Sequence, residues 1–140
     1  MSTSLDLALP RVKQSEGYRP MPYRDTVGVE TIGYGCALTV GWPEPLAAAV
    51  CKLQLEIAES ECAANIIGWA DLDPMRQSVL IEMAFNLGYS KLSQFHDLMR
   101  AIKNKDWKLA AEAMLDSRWA MQVKGRAVRL ARLMEQGTDL

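Results

Sequence analysis

Glu16-Gly17-Tyr18-Arg19-Pro20-Met21-Pro22-Tyr23-Arg24-Asp25-Thr26-Val27-Gly28-Val29-Glu30-Thr31-Ile32-Gly33-Tyr34-Gly35-Cys36 is rich in Gly, Pro, Tyr and Thr, in a chain that otherwise reads as helix. Two β-prone pieces, Met21 to Arg24 and Glu30 to Tyr34, flank turn chemistry at Thr26-Val27-Gly28, which predicts a small twisted hairpin sheet. Two carboxylates, Glu16 and Asp25, stand on the segment, and the hydroxyl of Thr31 follows. Acidic residues are common in loops, so spacing alone leaves a solvated-surface reading open. A carboxylic acid, a second carboxylate and a polar group able to hold a water are also the minimum set for glycoside hydrolysis.

The surrounding residues favour the chemical reading. Glu-Gly-Tyr at 16–18, Pro-Tyr-Arg-Asp-Thr-Val-Gly at 22–28 and Thr-Ile-Gly-Tyr-Gly at 31–35 closely resemble the catalytic segment of the phage-type lysozymes, the endolysins of tailed bacteriophages. The resemblance implies Glu16 as general acid, Asp25 as its carboxylate partner and Thr31 as the water-positioning hydroxyl. It also implies an α+β, predominantly helical, two-lobed fold in one catalytic domain over 1–140. A small β-hairpin lobe over about 16–45 and a helical-bundle lobe over about 71–137 would be joined by a helix over about 44–66, with the cleft between the lobes.

Composition sets the bounds. A chain of 140 residues suffices for one domain with a real core and is too short for two. Its 49% hydrophobic and 24% charged residues are ordinary globular values, which argues against disorder. A net charge of −1 gives no global drive toward nucleic acid or an anionic wall. Cys36, Cys51 and Cys62 fit no metal-ligand spacing, so neither a metal nor a cofactor is expected. Cys51 and Cys62 lie about 16 Å apart along one helix, too far to bridge, and all three read as thiols of a protein made in a reducing compartment. Met1 to Pro10 has neither a basic region followed by an apolar core nor a membrane-spanning run.

Along the chain, Leu7 to Ser15 reads as a helix with Pro10 in its first turn, ending at Glu16 with Gly17 as cap. Ala37 to Pro45 reads as an irregular connection. Glu44 to about Ile66 reads as a long helix with an apolar stripe at Leu46, Val50, Leu53 and Ile57. Asp73 and Pro74 start a helix that ends at Gly88. That helix is apolar nearly all round, as at the centre of a bundle; Glu82 reads as an exposed or ion-paired charge in its middle. Further helices are expected over Phe95 to Lys103, Asp106 to Leu115, Ser117 to Val123 and Gly125 to Gln136, with Trp107, Met114 and Trp119 as core and His96 exposed. Residues 118–132 carry Arg118, Lys124, Arg126, Arg129 and Arg132 without an acid, which composition alone reads as a solvated face.

Around Met83 to Phe95 the resemblance implies that Phe85 and Asn86 contact sugar. Taken by itself Phe85 reads as core, whereas Asn86 is the better ligand candidate because a buried amide would need partners. Ser117-Arg118-Trp119, Gln122 and Arg126-Ala127 resemble the family's closing motif, which implies Arg126 as the ion-pair partner of the acid. Cys36 departs from the pattern, since family members often carry a histidine there with a structural role.

The function expected is hydrolysis, by inversion, of the β-1,4 bond between N-acetylmuramic acid and N-acetylglucosamine, leading to host lysis at the end of phage infection. The partner expected is bacterial peptidoglycan, with no nucleic acid and no membrane insertion. A monomer is expected to accumulate in the host cytoplasm until a membrane-permeabilising holin releases it to the wall. A lytic transglycosylase needs a protonatable Glu but no water-holding Asp and Thr. A non-catalytic peptidoglycan-binding protein needs none of the three.

Overall fold

The computed structural model describes residues 3–137. The chain divides into two compact units, the boundary falling between Ala47 and Ala48. The class is α+β: helices and one small antiparallel sheet.

The first unit opens with α1, Ser4–Glu16. Its start is a capping box: the Thr3 hydroxyl accepts from the Asp6 amide at 3.2 Å, and the Asp6 carboxylate accepts from the Thr3 amide at 2.9 Å. Pro10 therefore lies inside the helix and not in its first turn as expected. The helix buries no residue, so the Asp6 carbonyl that Pro10 cannot serve remains open to water. Gly17, at φ +72°, ends the helix and donates to the Lys13 carbonyl at 2.9 Å. Glu16 is thus the last helical residue before a sharp change of direction.

Strands β1 (Arg19–Arg24), β2 (Glu30–Gly33) and β3 (Cys36–Ala37) form an antiparallel sheet in that order. Tyr23 pairs with Thr31 and Arg24 with Glu30, whereas the ladder is irregular between Arg19 and Tyr23. Pro20 and Pro22 lie in that interval, and proline has no N–H to give a ladder, which suits an edge strand. The two residues of β3 occupy the start of the expected irregular connection. Too short for an alternating pattern, β3 is held by pairing with Thr31 and Ile32.

Helix α2, Glu44–Asn65, begins at the end of the first unit and continues into the second. The stripe expected to be buried along it is not: Leu46, Leu53 and Ile57 are exposed, and the buried residues are Ala58 and Cys62. Small side chains near its C-terminal end make the core contact, and the larger aliphatics fall on other faces. A 3-10 turn at Trp69–Asp71 then leads to α3, Pro74–Leu87, capped by Asp73, whose carboxylate accepts from the Arg76 amide at 3.1 Å. Gly88, at φ +85°, ends α3 as expected.

The remaining helices are α4 (Tyr89–Leu92), α5 (His96–Lys103), α6 (Trp107–Leu115), α7 (Arg118–Val123) and α8 (Gly125–Gln136). Asp106 and Ser117 cap α6 and α7 through bonds of 3.1 Å each to the amides of Leu109 and Ala120. Val79, Leu80 and Met83 of α3 are fully buried with Leu98, Met114 and Met134 of the neighbouring helices. Trp119 joins this core, while Trp107 stays half-buried at its margin. Arg76 is the buried charge among the described residues. Its guanidinium donates to the carbonyls of Met134 and Glu135 at 2.6 Å each and to Asp73 at 3.0 Å, and its carbon lies 4.0 Å from the Trp107 ring centroid. It thereby ties the last turn of α8 to the first turn of α3.

Candidate active site

Glu16, Asp25 and Thr31 all belong to the first unit, each on a different local device. Glu16 is exposed at the C-terminal end of α1, and its side chain lies over Gly35 in the turn between β2 and β3. A Cβ at position 35 would collide with the Glu16 carboxylate, and Gly35 holds φ +74°. A bare, left-handed residue at this point is therefore what allows the carboxylate its position. The Gly-x-Gly at 33–35 is legible in the sequence, but its use as a seat for Glu16 is not.

Asp25 closes the β1–β2 turn on itself. Its Oδ1 accepts from the amides of Val27 at 2.9 Å and Val29 at 2.8 Å, and its own amide donates to the Val29 carbonyl at 2.9 Å. Asx-type bonding of this kind is how aspartate orders a turn. Gly28, at φ +86°, completes the turn with a bond to the Asp25 carbonyl at 3.0 Å. Among the described residues, Oδ2 receives no hydrogen bond.

Thr31 is 4% exposed on β2. Its hydroxyl donates to the Val29 carbonyl at 2.9 Å, so the proton is committed and the oxygen remains as an acceptor. One peptide residue, Val29, thus holds both polar groups: its N–H fixes the Asp25 carboxylate and its carbonyl fixes the Thr31 hydroxyl. A water donating one proton to a carboxylate oxygen and the other to a hydroxyl oxygen directs its lone pair away from both. That is the orientation a nucleophilic water needs.

The second unit carries the other expected residues. Phe85 is 42% exposed, which removes the core reading, and it lines a groove of about 540 Å³ with Cys51, Leu55, Ile81 and Arg126. Its position on α3 faces away from Val79, Leu80 and Met83, which take the buried side. Asn86 accepts from the Trp119 indole N–H at 2.8 Å, so part of its hydrogen-bonding capacity satisfies a buried tryptophan. Arg126 forms an ion pair within its own unit, its Nε donating to Glu82 at 2.8 Å. Glu82 therefore takes the ion-paired form of its two expected states. A second depression, of about 690 Å³, is lined by Phe95, Asp116, Arg118, Trp119 and Gln122 among others. His96 is exposed at its edge.

All three cysteines are free thiols. Cys62 is buried, and burial, followed by the nearby Glu61 and Glu59, pushes its thiol up to about 11. Cys36 is half-buried on β3, in the turn region next to Gly35. No group of His, Cys, Asp and Glu among the described residues could hold a metal ion. No helix among them is long and apolar enough to cross a membrane.

Comparison with known proteins identifies the family. A profile of the phage lysozyme family matches residues 13–135. Two proteins of Dictyostelium discoideum, probable T4-type lysozymes 1 and 2, are 26% and 28% identical to this chain, each alignment covering 91% of it and 92% of the relative. The pre-baseplate central spike protein Gp5 of Enterobacteria phage T4 is 35% identical over 69 residues, which is 49% of this chain and 12% of that protein. The match spans most of the chain, and the chain belongs to the phage lysozyme family.

Proposed function

We propose that this protein hydrolyses peptidoglycan at the β-1,4 bond between N-acetylmuramic acid and N-acetylglucosamine, with inversion at the anomeric carbon. The observation that carries the reading is the double use of Val29, whose N–H holds the Asp25 carboxylate and whose carbonyl holds the Thr31 hydroxyl. Glu16, protonated, donates to the leaving oxygen as the glycosidic bond breaks. The water loses its proton to Asp25 Oδ2 while Thr31 Oγ1 holds it by its second proton, and its oxygen forms the new bond to the anomeric carbon. Phe85, with its ring exposed, is assigned to sugar contact in the second unit. Family membership and the T4-type lysozyme relatives support the substrate class. The biological setting we propose is lysis of a bacterial host late in phage infection, by a monomer that a holin releases from the cytoplasm.

Mass analysis of digested peptidoglycan tests the chemistry. Reducing-end muramic acid is expected, and a 1,6-anhydro product would make the protein a lytic transglycosylase. NMR of the product anomer at early times reports inversion. Glu16→Gln keeps shape and removes the donor, so the rate should fall by about 10²–10⁴-fold or more.

A further inference from the structure

Two tyrosines flank the acid. Tyr18 follows Gly17, directly beyond the end of α1, and is 65% exposed. Tyr34 stands at the tip of the β2–β3 turn between Gly33 and Gly35, both at positive φ, and is 42% exposed. Their ring centroids are 5.5 Å apart with the planes inclined at 43°. Lys13, on the last turn of α1, places its Nζ 5.4 Å from the Tyr34 centroid. Gly35, the next residue after Tyr34, is the seat of the Glu16 carboxylate. The rings are therefore anchored on the same two turns that position the acid.

Two adjacent exposed tyrosine rings offer an apolar face with polar edges, the character of a surface that binds a partly apolar, partly polar ligand. The negative face of an aromatic ring attracts weakly polarised C–H groups, and a pyranose presents a face of such groups while its hydroxyls point outward. Lys13 adds a positive charge beside the pair, suited to the lactyl or stem-peptide carboxylates of a wall glycan. We infer that Tyr18 and Tyr34 form an aromatic platform on which an N-acetylhexosamine ring stacks, next to the bond presented to Glu16. The inference rests on the proposed peptidoglycan hydrolysis and adds a residue-level account of how the strand is held. Tyr18, the more exposed ring, provides the stacking face; Tyr34 packs beside it and sets its tilt.

The test uses Tyr18→Leu and Tyr34→Leu, which keep apolar bulk and remove the π face, and the corresponding Phe variants, which keep it. Two measurements are made on the full chain: steady-state hydrolysis of soluble peptidoglycan fragments, and calorimetric binding of an N-acetylglucosamine oligomer in the Glu16→Gln background. Each Leu variant should raise KM and weaken oligomer binding by about fivefold to tenfold, with kcat falling far less, and Phe should restore both. Leu variants of unchanged melting temperature that bind and cleave as the parent does would overturn the platform. So would failure of the Glu16→Gln protein itself to bind the oligomer. If the parent chain cleaves no peptidoglycan, the proposed function fails, and the platform is then decided by the binding arm: loss with Leu and recovery with Phe keeps it, equal binding removes it.

Discussion

The carboxylate of Glu16 rests on the bare Cα of Gly35, in the space where any other residue would place its Cβ. Two constraints meet at this glycine, since its φ of +74° also disfavours an L side chain. Gly35→Ala should therefore act through Glu16. Displacement of the acid by even an ångström is expected to cost about 10²-fold in rate, and the strained backbone about 1–2 kcal/mol in stability. Peptidoglycan turnover and thermal unfolding measured together check both parts. A Gly35→Ala protein that cleaves at the parent rate would show that the contact does not position the acid.

The proposed mechanism gives Asp25 two separable duties. Oδ1 orders the turn by accepting from Val27 and Val29, and Oδ2 is assigned to the water. Asp25→Asn keeps an oxygen for the two amides and removes the base; Asp25→Ala removes both. Each variant should lose about 10²-fold or more in rate. Only Ala should also lose stability, by about 1–2 kcal/mol, because two amides of the turn lose their acceptor. Equal melting temperatures for Asn and Ala would mean that the turn does not depend on Oδ1.

Local chemistry was the legible part of this protein. Asp73-Pro74 and Gly88 mark the two ends of α3 because a side-chain acceptor, a proline without N–H and a left-handed glycine act over only a few residues. The same holds for Gly125–Gln136 and for the hairpin around Thr26-Val27-Gly28. Pro10 misled because helix α1 has no buried face to be disturbed, so an interior proline is tolerated there. On α2, periodicity found an apolar stripe but could not say which face would pack; the buried contact falls on Ala58 and Cys62. The core reading of Phe85 fails for a related reason: in an almost wholly apolar helix, composition does not choose the outward side, and Phe85 is exposed. The family motif names Glu16, Asp25 and Thr31 as candidates, yet the contacts of Val29 and Gly35 depend on backbone atoms and on a missing Cβ, which carry no side-chain signal. Partners distant in sequence, such as Arg76 with Met134 or Glu82 with Arg126, were not recoverable from spacing.

Arg76 is expected to be the most sensitive charged residue of the helical unit. Its guanidinium satisfies two carbonyls at the end of α8, pairs with Asp73 and covers Trp107. Arg76→Ala leaves those carbonyls short of donors and opens a gap beside the indole, at a cost of about 3 kcal/mol or more. Arg76→Lys keeps the charge without the fork and should recover only part of it. Gly137→Ala should destabilise through the same contact, since a Cβ there would strike the guanidinium and Gly137 holds φ +66°. Urea unfolding with an unchanged m-value is the measurement. A loss within about 0.5 kcal/mol for Arg76→Ala would show that the tie between α3 and α8 carries little.

Cys62 gives the fold a dependence on alkaline pH. Its thiol donates to the Leu80 carbonyl at a sulfur–oxygen distance of 3.9 Å, and burial raises its pKa from the ordinary 9.0 to about 11. Between those values the unfolded chain has released the proton and the folded chain still holds it. The unfolded state thus binds fewer protons, and stability falls as pH rises through this window. Two units correspond to a loss on the order of 2 kcal/mol by pH 11, and nothing is lost below about pH 8. Tyr89, also raised by burial and by its neighbours Cys62 and Glu61, adds a loss of the same sign at higher pH. Cys62→Ala removes the thiol term at the cost of a small cavity, so it should be less stable than the parent at pH 7 and the difference should shrink toward pH 11. Parallel stability curves for the two proteins, from urea unfolding between pH 7 and pH 11, would show that Cys62 does not set the alkaline limit.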